Sequence, residues 1–115
     1  MAGEGPSTAW HGSYARSVTS IRHIVLVSWK SGHQGAAEDL VRPAIRDFVD
    51  SIPDVQSVVE GHSSSPEGLE DGFDYGFVVH FATTQARDAY LDHPVHRPVA
   101  EAIGAAAKRI VVFDI

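Results

Sequence analysis

The first regular pattern in the chain is an alternation of side chains over residues 21–30, IRHIVLVSWK, where β-branched residues are frequent. Neighbouring side chains of a strand point to opposite faces, so one face would carry His23, Val25, Val27 and Trp29. The other face would carry Ile24, Leu26 and Ser28. The pattern therefore predicts a strand with apolar side chains on both faces.

A helical pattern follows the polar segment SGHQG. Apolar side chains recur there at the spacing of one helix face, and they comprise Leu40, Val41, Ala44, Ile45, Phe48, Val49 and Ile52. Pro53 ends the pattern, and the breadth of the apolar stripe predicts a helix that packs on a sheet. Pro43 lies inside the stripe, where its missing N–H either bends the helix or marks its effective start.

Three more segments have the composition of strands. Residues 55–61 and 75–81 are rich in valine, and the polar loop HSSSPEGLEDGFD separates them. Residues 108–115, KRIVVFDI, form the last predicted strand. Each of these segments is short enough to cross a small sheet once.

Two helices are predicted between the third and fourth strands. Thr83 or Thr84 can cap the first, which runs through Leu91 and stops near Asp92 because the residue before a proline avoids helical geometry. The second would run from about residue 95 or 98 to residue 106. The resulting order, βαββαβ, predicts an α+β ferredoxin-like fold with a four-stranded antiparallel sheet and its helices on one face.

The other face of that sheet would be bare and apolar. It would carry Ile24, Leu26, Val58 and Val78, together with either Val111 and Phe113 or Ile110 and Val112. Such a patch is larger than the single apolar side chains common on protein surfaces. Burying each side chain is worth roughly 1.5 to 3 kcal/mol, so we expect a homodimer in which the two sheet faces meet.

Composition narrows the function classes. The chain has 115 residues, of which 43% are hydrophobic and 21% charged, as expected for one globular domain over residues 21–115. Residues 1–20 lack a period and are predicted to be a flexible arm. A net charge of −6 disfavours nucleic acid and anionic membranes as partners, and the absence of cysteine excludes thiol chemistry.

Hydropathy gives no membrane segment. No run of about 18 apolar residues is long enough to cross a bilayer, and the first residues lack the pattern of a signal peptide. We therefore expect a soluble, cytoplasmic protein.

The segment YLDHPVH, residues 90–96, holds the candidate chemistry. Tyr90 and His96 lie on either side of a helix break at Pro94, so their side chains can turn toward each other. A neutral imidazole can take a proton, and a tyrosine hydroxyl can stabilise an enolate oxygen, which suits enolisation or aldol chemistry. Alternatively, Tyr90 packs the last helical turn and His96 binds a backbone carbonyl.

The other histidines have structural and functional interpretations. His93, before the proline, is typical of a turn residue that holds the loop by a backbone hydrogen bond. His93 and His96 could also bind a metal, but two histidines at this spacing are a weak signal, so no metal is expected. His23 either faces a cavity beneath the helices or is a satisfied core residue.

Several motifs together resemble the stress-responsive A/B barrel (Dabb) family of dimeric ferredoxin-like α+β barrels. They are RHIVLVSWK, IPDVQSVVEG, SPEGLEDGFDYGFVVHF, YLDHPVH and IVVFDI, and the resemblance covers residues 21–115. The family includes plant polyketide cyclases that perform an intramolecular aldol condensation without a cofactor. The resemblance implies that Tyr90 and His96 are catalytic and that His23 is their partner at the pocket wall.

The resemblance also implies an apolar substrate cavity, lined by Val25, Val27, Val41, Ile45, Phe77, Val99, Ile110 and Val112. Some of these replace bulky aromatic residues of the cyclases, so the cavity would be wider and its substrate different. The function expected is a small acid/base enzyme, free of cofactors, that acts on a poly-β-keto compound. The alternative is a non-catalytic stress-response or apolar-ligand-binding dimer, and an open rather than filled cavity would favour the enzyme.

Overall fold

The computed structural model describes residues 20–115, and the predicted arm at residues 1–20 lies outside the described residues apart from Ser20. The elements in chain order are β1 (Ile21–Trp29), α1 (Gln34–Arg46), α2 (Phe48–Ser51), β2 (Ser57–His62), β3 (Tyr75–Phe81), α3 (Thr84–Leu91), α4 (His96–Ala106) and β4 (Ala107–Asp114). The predicted ferredoxin-like α+β fold is confirmed. No helix within residues 20–115 is long and apolar enough to cross a membrane.

The sheet has the strand order β2-β3-β1-β4, and all its strand pairs are antiparallel. Val25 of β1 lies opposite Phe77 of β3 and Val112 of β4. Directly opposed residues in an antiparallel pair share a face, so these three side chains point the same way, toward the helices. On that face a continuous core lies beneath the helices.

The other face of the sheet is apolar and is not covered by any element within residues 20–115. Ile24 lies opposite Val78 and Phe113, and Leu26 lies opposite Val111. This resolves the alternative left open by the sequence, because Val111 and Phe113 share the face of Ile24. Phe113 is 60% exposed and Val111 is 40% exposed. We call Ile24, Leu26, Val78, Val111 and Phe113 the bare face.

The prediction that Val58 belongs to the bare face was wrong. Val58 lies opposite Val79, which is completely buried under the helices, and Val58 packs against the same core. Val59 lies opposite Val78 instead and is 69% exposed. The strand begins at Ser57 and takes its register from β3, so the bare-face residue is one position later than expected.

The predicted single helix over residues 40–52 is divided in two. Helix α1 begins at Gln34, well before Pro43, so the proline does not mark its start. The break comes at Asp47, whose backbone N–H donates to the carbonyl of Pro43 at 3.1 Å. Helix α2 then continues the apolar face by burying Phe48, which becomes one wall of the cavity described below.

Of the two caps that the sequence allowed, Thr83 and Thr84, it is Thr83 that caps α3. Its hydroxyl accepts a hydrogen bond from the backbone N–H of Ala86 at 3.1 Å, which satisfies one free donor of the first helical turn. Because Thr83 is exposed, the cap is its main contribution. We expect Thr83→Ala to lower the free energy of unfolding by about 1 kcal/mol, measured by urea denaturation, and Thr83→Ser to retain it. Equal stability of Thr83→Ala and the parent would contradict this.

Candidate active site

The break between α3 and α4 brings Tyr90 and His96 together. Pro94 follows His93, whose backbone N–H donates to the carbonyl of Tyr90 at 3.0 Å. The backbone N–H of Val95 donates to the ring Nδ1 of His93 at 3.1 Å, so His93 holds the turn as predicted. The chain thereby reverses within a few residues, and His96 begins α4 directly over the end of α3.

The rings of Tyr90 and His96 are in contact, with centroids 4.2 Å apart. His96 Nδ1 lies 3.2 Å from the carbonyl oxygen of Leu91, and since a carbonyl can only accept, Nδ1 carries the proton. The free lone pair of the neutral ring is therefore on Nε2. Burial lowers the pKa of His96 below its ordinary value, outweighing the opposite effect of the Leu91 carbonyl. The ring is consequently neutral at physiological pH.

Tyr90 is completely buried, yet its hydroxyl has no hydrogen-bond partner among residues 20–115. Its ring packs against the rings of Phe48, Phe81 and His23 at centroid distances of 5.6, 5.0 and 5.7 Å. Burial raises the pKa of the Tyr90 hydroxyl well above its ordinary value, so the group stays protonated. An unpaired buried hydroxyl costs free energy, which a bound ligand that accepts its proton would recover.

The structural contacts predicted for the YLDHPVH segment are present. Tyr90 does pack the last turn of α3, and His96 does bind a backbone carbonyl. Neither contact uses the Tyr90 hydroxyl or the Nε2 atom of His96. The backbone bond instead fixes the imidazole tautomer, so the structural contact prepares the groups that chemistry would need.

His23 approaches the same place from β1. Its Nδ1 donates to a carboxylate oxygen of Asp114, the last residue of β4, at 2.8 Å. The other carboxylate oxygen of Asp114 accepts from the Arg87 guanidinium at 2.7 Å, and Arg87 Nε donates to Asp88 at 2.8 Å. His23 is therefore a buried residue whose polar group is satisfied, and it also lines the cavity.

A cavity of about 480 Å³ joins these groups. His23, Tyr90 and His96 all line it, and most of its remaining wall is apolar. The predicted lining residues found there are Val25, Phe77, Val99, Ile110 and Val112. Ile110 and Val112 are 43% and 58% exposed, so the cavity opens beside the edge strand β4.

The predicted positions of Val27, Val41 and Ile45 in the cavity wall need correction. These three side chains are at most 1% exposed and belong to the core, away from the cavity lining. Helix α1 packs against β2 and α4, and its buried side chains belong to the continuous core. Phe48 of α2 supplies the cavity wall that Val41 and Ile45 were expected to form.

Sequence reasoning missed Arg87 and Asp114 as cavity residues. Arg87 precedes Tyr90 by one helical turn, so the two share a helix face, a signal that was available. Asp114 is a carboxylate at the end of an apolar strand, but its contact with His23 depends on the pairing of β1 with β4. That register is not readable from either strand alone.

No group of three or more metal-ligating side chains occurs in the described part of the chain, residues 20–115. His93 Nδ1 and His96 Nδ1, which the sequence suggested as a weak metal pair, both bind backbone groups. What the arrangement offers chemically is a proton acceptor on His96 and a hydrogen-bond donor on Tyr90, in a mostly apolar cavity.

Comparisons with known proteins agree with this architecture. A sequence model of the stress responsive A/B barrel domain matches residues 21–115. A dimeric ferredoxin-like protein of unknown function from Jannaschia sp. CCS1 superposes with a TM-score of 0.77 at 20% identity, covering 84% of this chain and 97% of that one. A protein from Arabidopsis thaliana superposes with a TM-score of 0.73 at 25% identity, covering 83% and 92%.

A hydroxynitrile lyase from Passiflora edulis also superposes, with a TM-score of 0.77 at 21% identity, covering 85% of this chain and 93% of the lyase. No curated protein matches the sequence. At these identities the Jannaschia and Passiflora structures show a shared fold alone.

Proposed function

Because the chain belongs to the stress-responsive A/B barrel family, we propose that it is a cofactor-independent acid/base enzyme that cyclises a poly-β-keto compound by an intramolecular aldol reaction. The observation that carries the proposal is the Tyr90 hydroxyl, which has no hydrogen-bond partner in the described part of the chain and is buried beside His96 at an open apolar cavity. A protein that used these residues only for packing would have no reason to leave that hydroxyl unpaired.

His96 is the base in this proposal. Its Nε2 takes a proton from the carbon between two carbonyl groups of the substrate, and the electron pair of that C–H bond moves into an enolate. A neutral imidazole with its tautomer already fixed can do this without first losing a proton itself. Such a carbon is unusually acidic because the negative charge spreads over two carbonyl oxygens.

Tyr90 stabilises the charge that forms. Its hydroxyl, still protonated because burial raises its pKa, donates a hydrogen bond to the enolate oxygen. The enolate carbon then bonds to a distant carbonyl carbon of the same chain, and that carbonyl becomes an alkoxide. The alkoxide takes a proton from the His96 imidazolium, so the base is regenerated and the product is an isomer of the substrate.

The cavity supports a small, mostly apolar substrate. Its volume of about 480 Å³ lies within the usual range for ligand pockets, roughly 300 to 1,000 Å³. An open cavity that reaches both Tyr90 and His96 favours an enzyme over a dimer with a packed interior. The Passiflora edulis neighbour, which shares this fold, is a hydroxynitrile lyase.

We also propose that the protein is a homodimer in which the bare faces of two sheets meet. The Jannaschia neighbour is itself dimeric. Leu26, Val111 and Phe113 are between 38% and 60% exposed, so the described residues leave a contiguous apolar surface open here. The cavity lies on the opposite side of the sheet, so such a dimer would leave its mouth accessible.

The pH profile of cyclisation tests the role of His96. The neutral ring is the active form, and burial lowers its pKa below the ordinary 6.5, so the rate should fall with decreasing pH and the midpoint of that decline should lie below pH 6.5. Initial rates on a linear tetra-β-ketide, corrected for spontaneous cyclisation, would measure this. A decline centred above pH 6.5 would contradict the assignment of His96 as base.

A further inference from the structure

Opposite His96, a chain of hydrogen bonds runs from Arg87 through Asp114 to His23, and the proposed mechanism does not use it. We propose that Arg87 and Asp114 are positioning residues that fix His23 as a hydrogen-bond acceptor for an O–H group of the substrate, so that the site selects a poly-β-keto chain with one β-dicarbonyl unit in its enol form, beside the unit from which His96 takes a proton. The inference deepens the proposed function and rests on it for the reaction. The selection of the enol is a property of binding, so it can be measured without catalytic turnover.

The tautomer of His23 follows from its partner. An ionised carboxylate can only accept, so the hydrogen bond of 2.8 Å to Asp114 requires the proton of the neutral ring to be on Nδ1. Nε2 then carries the lone pair. His23 lines the cavity, and its ring meets the Tyr90 ring edge-on at 5.7 Å, so the acceptor belongs to the same site as the Tyr90 hydroxyl.

Arg87 explains why Asp114 can hold this position. Asp114 is the last residue of β4, at the open edge of the sheet, where its side chain would otherwise be free to rotate. The guanidinium of Arg87 donates to one carboxylate oxygen at 2.7 Å and leaves the other for His23. Arg87 is itself held by Asp88, next to it in α3. Each member of the chain therefore limits the rotation of the next.

His23 and His96, whose rings both contact the Tyr90 ring, thus have the same tautomer. Both carry the proton on Nδ1, His96 toward the Leu91 carbonyl and His23 toward Asp114, and within residues 20–115 neither Nε2 has a hydrogen-bond partner. Besides Arg87, Asp88 and Asp114, which bind one another or His23, the cavity therefore offers two imidazole acceptors and the Tyr90 hydroxyl as a donor. The enol of a β-dicarbonyl compound has one O–H to donate and one carbonyl oxygen to accept, whereas its diketo form has no O–H for His23.

Binding of two small probes tests this selection. Acetylacetone forms an enol, whereas its analogue dimethylated on the central carbon cannot. We expect the parent to bind acetylacetone about tenfold more tightly in Kd, the size of one hydrogen bond, as measured by NMR titration. Asp114→Ala and Arg87→Met should reduce this preference to about twofold or less. Glu101→Gln, which removes a carboxylate from an exposed position on α4, should retain it.

The ¹⁵N shifts of the His23 ring supply an independent readout. The parent should show the proton on Nδ1, Asp114→Ala and Arg87→Met should lose this single tautomer, and Arg87→Lys, which keeps the charge, should restore it. An unchanged tautomer in both disruptive variants, or equal binding of the two probes by the parent, would overturn the proposal. Acetylacetone is too short to cyclise, so a parent without cyclase activity would remove the proposed function while leaving this test intact.

Discussion

Replacing His96 with alanine should lower the rate of cyclisation by about 10²- to 10⁴-fold, the usual contribution of a general base. The loss is expected because His96 Nε2 is the neutral acceptor beside the Tyr90 hydroxyl, and alanine can take no proton. Initial rates on a linear tetra-β-ketide at neutral pH would measure it. Tyr90→Phe should lower the rate by about 10²- to 10³-fold, because it removes the single hydroxyl donor that faces the enolate.

A matched control separates chemistry from folding. His33→Gln removes a histidine from an exposed position before α1, where its side chain makes no capping bond, so its rate should equal that of the parent. Tyr90→Phe keeps the ring that packs against Phe48 and Phe81, and its thermal stability should remain close to that of the parent. If His96→Ala and Tyr90→Phe both cyclise the substrate at the parent rate, the two residues are structural.

Leu26→Asp should convert the proposed dimer into a monomer. Leu26 is 38% exposed and lies within the bare face, opposite Val111 on the neighbouring strand. Burial of such a side chain contributes roughly 1.5 to 3 kcal/mol to association, and the aspartate variant would lose this contribution. Dimerisation would also bury its carboxylate against apolar side chains, which is unfavourable. Because both copies carry the substitution, its cost occurs twice in a symmetric interface. Sedimentation velocity across a dilution series would measure the change.

Leu40→Asp is the control for this prediction. Leu40 is 64% exposed, and it lies on α1, on the other side of the sheet from the bare face. Its replacement should leave the dimer intact. A parent that is a monomer at every concentration, or a Leu26→Asp variant that sediments as the parent does, would show that the bare face is not the interface.

The strands and their order could be predicted because local patterns determine them. Tyr75–Phe81 is a run of aromatic and β-branched side chains, and its bounds agree with the prediction. The cap at Thr83 likewise depends only on residues close to it in the sequence. The residues of the bare face were harder to predict, because Val58 and Val59 are adjacent and either could face the helices. Only the pairing of β2 with β3 decides between them.

The candidate site was predictable where one segment supplied it. Tyr90 and His96 lie in one short stretch, and the resemblance to the stress-responsive A/B barrel family, which the family match confirms, directed attention to them. The contact of His23 with Asp114 and Arg87 joins three elements, so no single stretch of sequence contains it. The burial of Val41 and Ile45 in the core was missed for a similar reason. The sequence shows that these residues lie on the apolar face of a helix, but such a face can pack on a core or line a cavity.

Product analysis on a linear tetra-β-ketide tests most directly whether the cavity is an acid/base active site. The parent should yield a ring-closed aldol product in excess over the spontaneous products. Tyr90→Phe and His96→Ala, shown to be folded by circular dichroism, should return the spontaneous product ratio. The same product ratio from the parent and both variants would contradict the account.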